Sequence, residues 1–467
     1  MMLGVWWFVA AVMAAPDVGT LDAVLQTAAD RDELVAAIRV VDGDTVLLDA
    51  VYGDAPADPV CRIGSVSKSF TAATVHALAD EGLLSIDDPI GVHLPRVQAQ
   101  IGAGPTLRQL MHHTGGLSNP AANPSAAPPV SWEEQASLML GILEEESPPG
   151  EEYAYSNFGY TLLSATIATV SGVSLEAAVR ARLLDPLGLA DTGLSVDPVR
   201  DARLIAGRVP SPLGLIAVQE ALPRWIPYDY RWPMGGAGAF TSSPRDLVRW
   251  AEAIRDGAVL SDAARQSLLT PALEDYAAGW VVKGEHIWHN GALEPLGTYA
   301  YLRWSPYDRV VVAFCGTPGV GVTDTEWAGV IEDALEGEAV SPPVVSVGPM
   351  GWFAAASTLR LHWMSGGLGL VLAGAVGRAR WTRLGMTMAG VGMAVLGFGL
   401  SHALAGLAAG LAVVAVGARR IARGSKEGSV LALLVGGSLC CVCLGVFTLV
   451  LGWSALLENM WALASLE

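Results

Sequence analysis

Lysine is nearly absent from this chain of 467 residues. Three of its 28 basic residues are lysines, and 46 residues are acidic. The formal net charge is −18 at pH 7, and no basic patch interrupts the acidic part of the sequence. Because nucleic acids are bound largely through lysine and arginine, the composition argues against a nucleic-acid partner.

Cysteine is also scarce, with five residues. Cys61 and Cys315 lie on separate predicted strands, and the other three, at positions 440, 441 and 443, lie inside a long apolar stretch. We therefore expect no disulfide framework. The chain has no H-E-x-x-H motif, and His286 and His289 lie three apart on a predicted strand, which would put them on opposite faces. We expect no metal site and no other cofactor.

One of the three lysines, Lys68, follows Ser65 by three residues, where a predicted strand at 60–63 gives way to a predicted helix at 65–81. Residues i and i+3 share a helix face, so the amine can reach the hydroxyl. A serine at a helix N-terminus also lies near unpaired N–H groups, which suits acyl transfer. The alternative is that Ser65 only caps the helix and Lys68 is solvated.

Two later segments favour the chemical interpretation. Tyr155 and Asn157 lie in a turn before the apolar helix predicted at 160–170. His289, Gly291 and Ala292 come at the end of a predicted strand. Together these segments resemble the S-x-x-K, Y-x-N and K/H-x-G boxes of the serine β-lactamase and penicillin-binding-protein superfamily, in the branch of class C β-lactamases, DD-peptidases and esterases. The resemblance covers residues 21–337 and extends to segments 81–89, 107–117 and 235–242.

The resemblance implies a role for each matching residue. Ser65 would be the acylated nucleophile, and Lys68 and Tyr155 would exchange its proton. Either of these two would be the base. Both are poor bases at an unperturbed pKa near 10, so the site must hold one of them deprotonated. Asn157 would hold Lys68 and a substrate amide. The backbone N–H groups of Ser65 and Ala292, beside Gly291, would form the oxyanion hole.

The third box departs from the β-lactamase pattern because His289 replaces lysine. Histidine is only partly charged at neutral pH, so we expect it to anchor a substrate carboxylate weakly. This favours peptide or ester cleavage over efficient penicillin hydrolysis. For His112 and His113 we expect a structural role at a capped helix end. The aromatic segment 208–234 is either a mobile lip over the pocket or, more simply, a packed surface loop.

The composition changes sharply after residue 343. Residues 344–467 contain eight basic but only three acidic side chains, and apolar stretches run over 361–377, 384–418 and 429–457. A bilayer core needs about 20 apolar residues in a helix, so the long middle stretch predicts a hairpin and the whole region about four spans. The basic runs at 378–383 and 419–426 would then face the cytoplasm.

Four parts are therefore predicted. Residues 1–15 would be a signal peptide or N-terminal anchor, although no Lys or Arg precedes its apolar run. Residues 16–336 would be the hydrolase domain, 337–360 a linker leading into the membrane, and 361–457 an all-α transmembrane region. The hydrolase domain would be α/β: strands at 34–41 and 45–52 pair with late strands at 278–288, 298–304 and 310–316 in an antiparallel sheet. Helices flank this sheet, and a helical subdomain is inserted at about 87–272.

The sequence thus predicts a multi-pass membrane protein with an extracytoplasmic serine hydrolase domain. Its partners would be the lipid bilayer and a small-molecule or peptide substrate with an amide or ester bond, for which a peptide derived from the cell wall is one candidate. The alternative is a sensor or scaffold that is acylated without turnover and passes that state to the membrane helices. Turnover separates the two.

Overall fold

The structure, a computed structural model, describes residues 16–117, 132–140, 147–194, 200, 202–211, 214–217, 231–293, 297–306, 309–317 and 324–343. Its contacts divide the chain into two units, Met1–Pro210 with Tyr228–Ser346, and Ser211–Pro227 with Val347–Glu467. The predicted signal segment, the linker beyond residue 343 and the predicted transmembrane region lie outside the described residues. The account below concerns the first unit, except for one short strand of the second, Gly214–Ala217.

A six-stranded antiparallel sheet joins the two ends of the first unit, as predicted. Its strands are ordered β2-β1-β10-β9-β8-β7. The bounds are β1 Val35–Asp42, β2 Thr45–Tyr52, β7 Val281–Lys283, β8 His286–Leu293, β9 Thr298–Trp304 and β10 Val310–Thr317. The remaining short strands are β3 Cys61–Arg62, β4 Arg208–Ser211, β5 Gly214–Ala217 and β6 Thr241–Ser242, of which β3 pairs with β6.

One predicted strand is wrong. The stretch 278–288 was expected to be continuous, but the structure has two paired strands, β7 and β8, with a reversal between Lys283 and His286. Gly284 adopts φ +59° there. Glycine reaches this left-handed region without the steric cost that other residues meet, so the chain can turn back on itself. The predicted third box consequently lies inside β8 and not at a strand end.

Helices cover both faces of the sheet and fill the insertion between its early and late strands. Their bounds are α1 Val18–Asp30, α2 Ser67–Asp80, α3 Ile90–His93, α4 Pro95–Ile101, α5 Leu107–Met111, α6 Trp132–Leu140, α7 Asn157–Ser171, α8 Leu175–Val179, a π-helical turn Arg180–Leu184, α9 Asp185–Leu187, α10 Arg231–Gly238, α11 Pro244–Asp256, α12 Asp262–Leu268 and α13 Asp324–Leu335. The predicted helical subdomain thus corresponds to α3–α12.

Two apolar cores hold these layers together. The terminal helices α1 and α13 pack on one face of the sheet, where Leu25 and Trp327 join Phe314 in the same buried cluster. The other face shares a larger cluster with α2, α7 and α11, in which Phe70 stacks on Trp250 at 4.3 Å between ring centroids. Burial of this apolar surface is the main stabilising contribution to such a fold. It also fixes α2, which begins two residues after Ser65 and contains Lys68, against α7, which begins at Asn157.

The structure contains a disulfide that the sequence did not predict. Cys61 in β3 and Cys315 in β10 form a disulfide across 254 residues of sequence, with their Cα atoms 6.1 Å apart. Both cysteines were assigned to strands, but sequence gives no contact between strands so far apart. The bond ties the strand that leads to Ser65 to the centre of the main sheet.

Among the helices described, none is by itself long and apolar enough to cross a bilayer. Asn157–Ser171 and Leu175–Leu187 reach the required length and composition only as a pair, and a bend of 75° separates them.

Candidate active site

Ser65 lies in a single turn of 3-10 helix, Gly64–Val66, that joins β3 to α2. Gly64 has φ +49°, and a Cβ there would come within 2.8 Å of the Gly291 carbonyl carbon and 2.9 Å of Ala292 N. Only glycine meets both the left-handed conformation and this close backbone approach. The turn therefore places Ser65 directly beside β8, at the position of the third box.

Lys68 is fully buried and reaches three oxygen atoms. Its Nζ lies 3.0 Å from Ser65 Oγ, 2.7 Å from Asn157 Oδ1 and 2.8 Å from Ala237 O. Burial lowers the pKa of Lys68 well below its ordinary value. A neutral amine has two N–H groups and one lone pair, and the two carbonyl-type oxygens can only accept. If the amine is neutral, its two N–H groups bind Asn157 Oδ1 and Ala237 O and its lone pair faces the Ser65 hydroxyl.

The Y-x-N box meets Lys68 from the other side. Asn157 is the first residue of α7, and Ser156 caps that helix by accepting a hydrogen bond from Gly159 N at 3.2 Å. The ring centroid of Tyr155 lies 4.7 Å from Lys68 Nζ. The predicted residues of the first two boxes are thus adjacent in space, although 89 residues separate Lys68 from Asn157.

Gly291 brings the third box to the nucleophile. A Cβ at this position would lie 2.0 Å from Ile63 O and 2.8 Å from Ser65 N, so a larger residue would push β8 away from the Ser65 turn. Gly291 and His289 are both on the buried face of β8, and Ala292 is the next residue. The Ser65 turn and β8 therefore approach each other closely at Ser65 N and Ala292 N. That these two N–H groups form an oxyanion hole stays a prediction.

His289 is 3% exposed and has contacts at both ring nitrogens. Its Nδ1 binds the Asn290 carbonyl, which can only accept, so Nδ1 carries the proton and Nε2 accepts from the Tyr276 hydroxyl at 2.9 Å. Burial, reinforced by Lys68, lowers the pKa of His289 to about 3. The expectation that this residue is partly charged at neutral pH is therefore wrong, and the side chain offers no cation to a carboxylate.

Sequence reasoning missed three contributors to the site. Ala237 supplies a carbonyl to Lys68 from segment 235–242, where no site residue was predicted. Tyr276 holds His289 but lies in no box. His113 was assigned to a helix end, yet its ring lies 4.2 Å from the Tyr155 ring, centroid to centroid. His112, its neighbour, does have the expected structural contacts, to the carbonyls of α5 and of Thr270.

Two further sequence assignments can be compared with the structure. His286 and His289 do project to opposite faces of β8, one half-buried and the other buried. Within the described ranges, no group of three or more His, Cys, Asp or Glu residues is placed to hold a metal ion. Most of the aromatic segment 208–234 lies outside the described residues, so its predicted position over the pocket stays a prediction.

Comparison with known proteins agrees with the family resemblance found in the sequence. The sequence model of the family described as Beta-lactamase matches residues 21–336. The chain is 30% identical over 204 residues to the D-alanyl-D-alanine-carboxypeptidase/endopeptidase AmpH of Escherichia coli (strain K12), a match that covers 42% of this chain and 49% of that protein. It is 29% identical over 314 residues to Esterase EstB of Burkholderia gladioli, covering 57% and 79%.

Among solved structures, the octameric penicillin-binding protein homologue from Pyrococcus abyssi superposes with a TM-score of 0.58 at 22% identity, covering 74% of this chain and 81% of that one. At this identity the likeness establishes the fold alone. The chain spans about half the length of AmpH. The activities that these names carry belong to those proteins.

Proposed function

This chain belongs to the β-lactamase family, and on that premise we propose that it is a serine hydrolase that forms an acyl-enzyme on Ser65 and cleaves an amide or ester bond. The observation that carries the proposal is the position of Lys68, whose Nζ lies 3.0 Å from Ser65 Oγ. Its other two contacts are oxygens that can only accept. This arrangement leaves a neutral Lys68 ready to accept the hydroxyl proton.

In the proposed reaction Lys68 removes the proton from Ser65 Oγ as the oxygen attacks the substrate carbonyl carbon. The carbonyl π electrons move to its oxygen, and the N–H groups of Ser65 and Ala292 stabilise that oxyanion, each worth about 3 kcal/mol or more. Tyr155 protonates the leaving amine or alcohol and regains a proton from Lys68. Water then hydrolyses the acyl-enzyme by the same proton exchanges in reverse, which restores Ser65.

For the substrate class we propose uncharged amides and esters, of the kind cleaved by D-amino-acid peptidases and esterases, ahead of substrates that need a charged carboxylate anchor. The support is the neutral state of His289, whose ring nitrogens are engaged by Tyr276 and Asn290. A DD-peptidase or weak β-lactamase activity would require another group to bind the substrate carboxylate.

The proposed location is the cell membrane, with residues 16–336 on its outer side and residues 361–457 spanning it about four times. The apolar stretches and basic runs of the sequence support this arrangement. The disulfide between Cys61 and Cys315 supports an oxidising compartment for the domain, because such bonds are rare in the cytosol. Reporter fusions after Arg380, Ser401 and Lys426 should report inside, outside and inside; an external signal at Arg380 would refute the topology.

The activity is tested by mass spectrometry of the full-length chain incubated with an activated ester, a fluorescent penicillin and a D-Ala-D-Ala peptide. We expect a transient adduct on Ser65 with steady release of product, and none in Ser65→Ala. Ser69→Ala is the matched control, because it removes a buried hydroxyl in α2, four residues beyond Ser65, and the protein should still be labelled. A permanent adduct without turnover would favour the sensor instead, and no adduct with any probe would refute the proposal.

A further inference from the structure

His113 stands in a conformation that its residue type does not favour. It lies two residues beyond Met111, the last residue of α5, and has φ +58°, in the left-handed region. Helix ends of this kind are usually completed by glycine or asparagine, since a larger side chain costs about 1 kcal/mol or more there. A histidine at this position therefore indicates that its side chain has a second role besides ending the helix.

His113 accepts two hydrogen bonds from the segment that contains Tyr155. The His113 carbonyl accepts from Ala154 N at 2.8 Å, and the His113 Nδ1 accepts from Ser156 N at 3.0 Å. The residues on either side of Tyr155 are thus held by one residue of a different element. Because both donors are backbone groups, the contact fixes the course of the chain at Tyr155 and not merely a side chain.

The ring of His113 also packs directly on the phenol. Its centroid lies 4.2 Å from that of Tyr155 and 4.6 Å from that of Tyr276. His113 is 1% exposed, and its Nε2 has no hydrogen-bond partner within the part of the chain that the structure describes. Aromatic pairs at such distances stabilise by about 0.5–1.5 kcal/mol. Main chain and ring of His113 therefore restrain Tyr155 from one side.

The protonation state of His113 agrees with this geometry. A backbone N–H only donates, so the contact with Ser156 requires an unprotonated Nδ1. Burial, together with the neighbouring Lys68, lowers the pKa of His113 well below its ordinary value, which keeps the ring neutral. The same segment continues into Asn157, whose Oδ1 binds Lys68. A shift of this segment would thus move both residues of the Y-x-N box.

From these contacts we infer that His113 is a positioning residue, which holds Tyr155 in register with Ser65 and Lys68 through its hydrogen bond to Ser156 N. It makes no contact with the nucleophile and takes no part in proton transfer. The inference rests on the proposed function. It differs from a purely structural role because it predicts a loss in the chemical step that depends on Tyr155.

Two substitutions separate the hydrogen bond from the ring. His113→Phe keeps an aromatic ring but has no acceptor for Ser156 N, whereas His113→Asn loses the ring, tolerates the left-handed conformation and offers Oδ1 as an acceptor. The full-length variants are assayed with an activated ester, and rates are divided by the number of active sites titrated in the burst. This normalisation removes any fraction that fails to fold.

We expect His113→Phe to lower kcat by about 10- to 100-fold, the effect of a misplacement near 1 Å, with KM nearly unchanged. His113→Asn should recover most of that loss. In a Tyr155→Phe background, His113→Phe should cost nothing further, because the group that it positions is already gone. His112→Phe, at the adjacent buried histidine with no contact to Ser156, is the matched control and should keep its kcat.

Each contrary result has a distinct meaning. Three outcomes would overturn the inference: an unchanged kcat in His113→Phe, an equal loss in the Phe and Asn variants, or a full further loss in the Tyr155→Phe background. In each of these cases, turnover by the wild-type protein would leave the hydrolase proposal intact. Absence of wild-type turnover in the same assay would refute the hydrolase proposal, and the inference with it.

Discussion

Replacement of Lys68 by arginine tests the central feature of the site. Arginine keeps a cation and N–H donors for Asn157 Oδ1 and Ala237 O, but its guanidinium is not deprotonated in proteins, so it cannot accept the Ser65 proton. If Lys68 acts only by electrostatic attraction, arginine should retain much of the activity. If Lys68 acts as a base, the activity should be lost.

The magnitude follows from the role of the group. A positioned general base contributes typically about 10²- to 10⁴-fold, which corresponds to about 3–5.5 kcal/mol of barrier. Lys68→Met should lose a similar factor, because it removes the amine and with it the contacts to two buried oxygens. Each lost hydrogen bond costs about 1 kcal/mol of stability, offset in part because methionine is buried at no desolvation cost. We therefore expect a folded but slow protein.

The assay is the rate of Ser65 acylation by an activated ester, measured against pH in stopped flow. The pKa of Lys68 is lowered, so the rate should rise as pH increases through that lowered value and the amine loses its proton. This rising limb should disappear in Lys68→Arg. Thermal unfolding of each variant checks that the fold is kept. Activity within about tenfold of wild type in a folded Lys68→Arg would refute the assignment of Lys68 as the base.

Three further outcomes are expected. Gly291→Ala should lower kcat by about 100-fold or more, because its Cβ would meet Ile63 O at 2.0 Å and displace an oxyanion donor. Gly329→Ala in α13, with open space around it, should keep the activity, and equal activity in both would contradict the reasoning. Loss of the disulfide in Cys61→Ala should lower the free energy of unfolding by about 2–4 kcal/mol in urea titration; no change would argue that the bond does not form. Burial lowers the pKa of His76 to about 4, so below pH 6.5 the unfolded state binds a proton that the folded state does not. The free energy of unfolding should fall by about 3 kcal/mol from pH 7 to pH 4, and it should fall less in His76→Met. An equal dependence on pH in the two proteins would contradict this role of His76.

The sequence predicts what depends on local spacing. Ser65 and Lys68 are three residues apart, and the helical turn alone brings their side chains together. The family resemblance indicates which distant segments meet in the sheet, whereas β9 and β10 are buried along nearly their whole length and give no alternation from which the pairing could be predicted. The reversal at Gly284 was missed because a strand with a two-residue turn inside it has nearly the same apolar pattern as one long strand.

Other features depend on contacts that sequence spacing does not encode. Cys61 and Cys315 are 254 residues apart, and only the assembled sheet makes them neighbours. The neutral state of His289 follows from Tyr276 and from burial, neither of which the H-x-G box contains. His113 looked like part of a helix end because it is one. Its second role appears only when the insertion folds back and places Ser156 against its ring.

The geometry of the site suits the charges that would form during the proposed reaction better than charges in the resting state. Burial lowers the pKa of both Lys68 and His289, which disfavours a cation at either residue in the resting pocket. In the proposed reaction Lys68 would take the proton from Ser65 and become an ammonium with three N–H donors. Ser65 Oγ, Asn157 Oδ1 and Ala237 O already lie within hydrogen-bond distance of it. These oxygens would stabilise the new cation, and the N–H groups of Ser65 and Ala292 would stabilise the oxyanion that forms with it. Preorganised stabilisation of developing charge is where catalysis gains most. The lowered pKa of Lys68 and the three oxygens around its Nζ therefore both favour the proposed proton transfer.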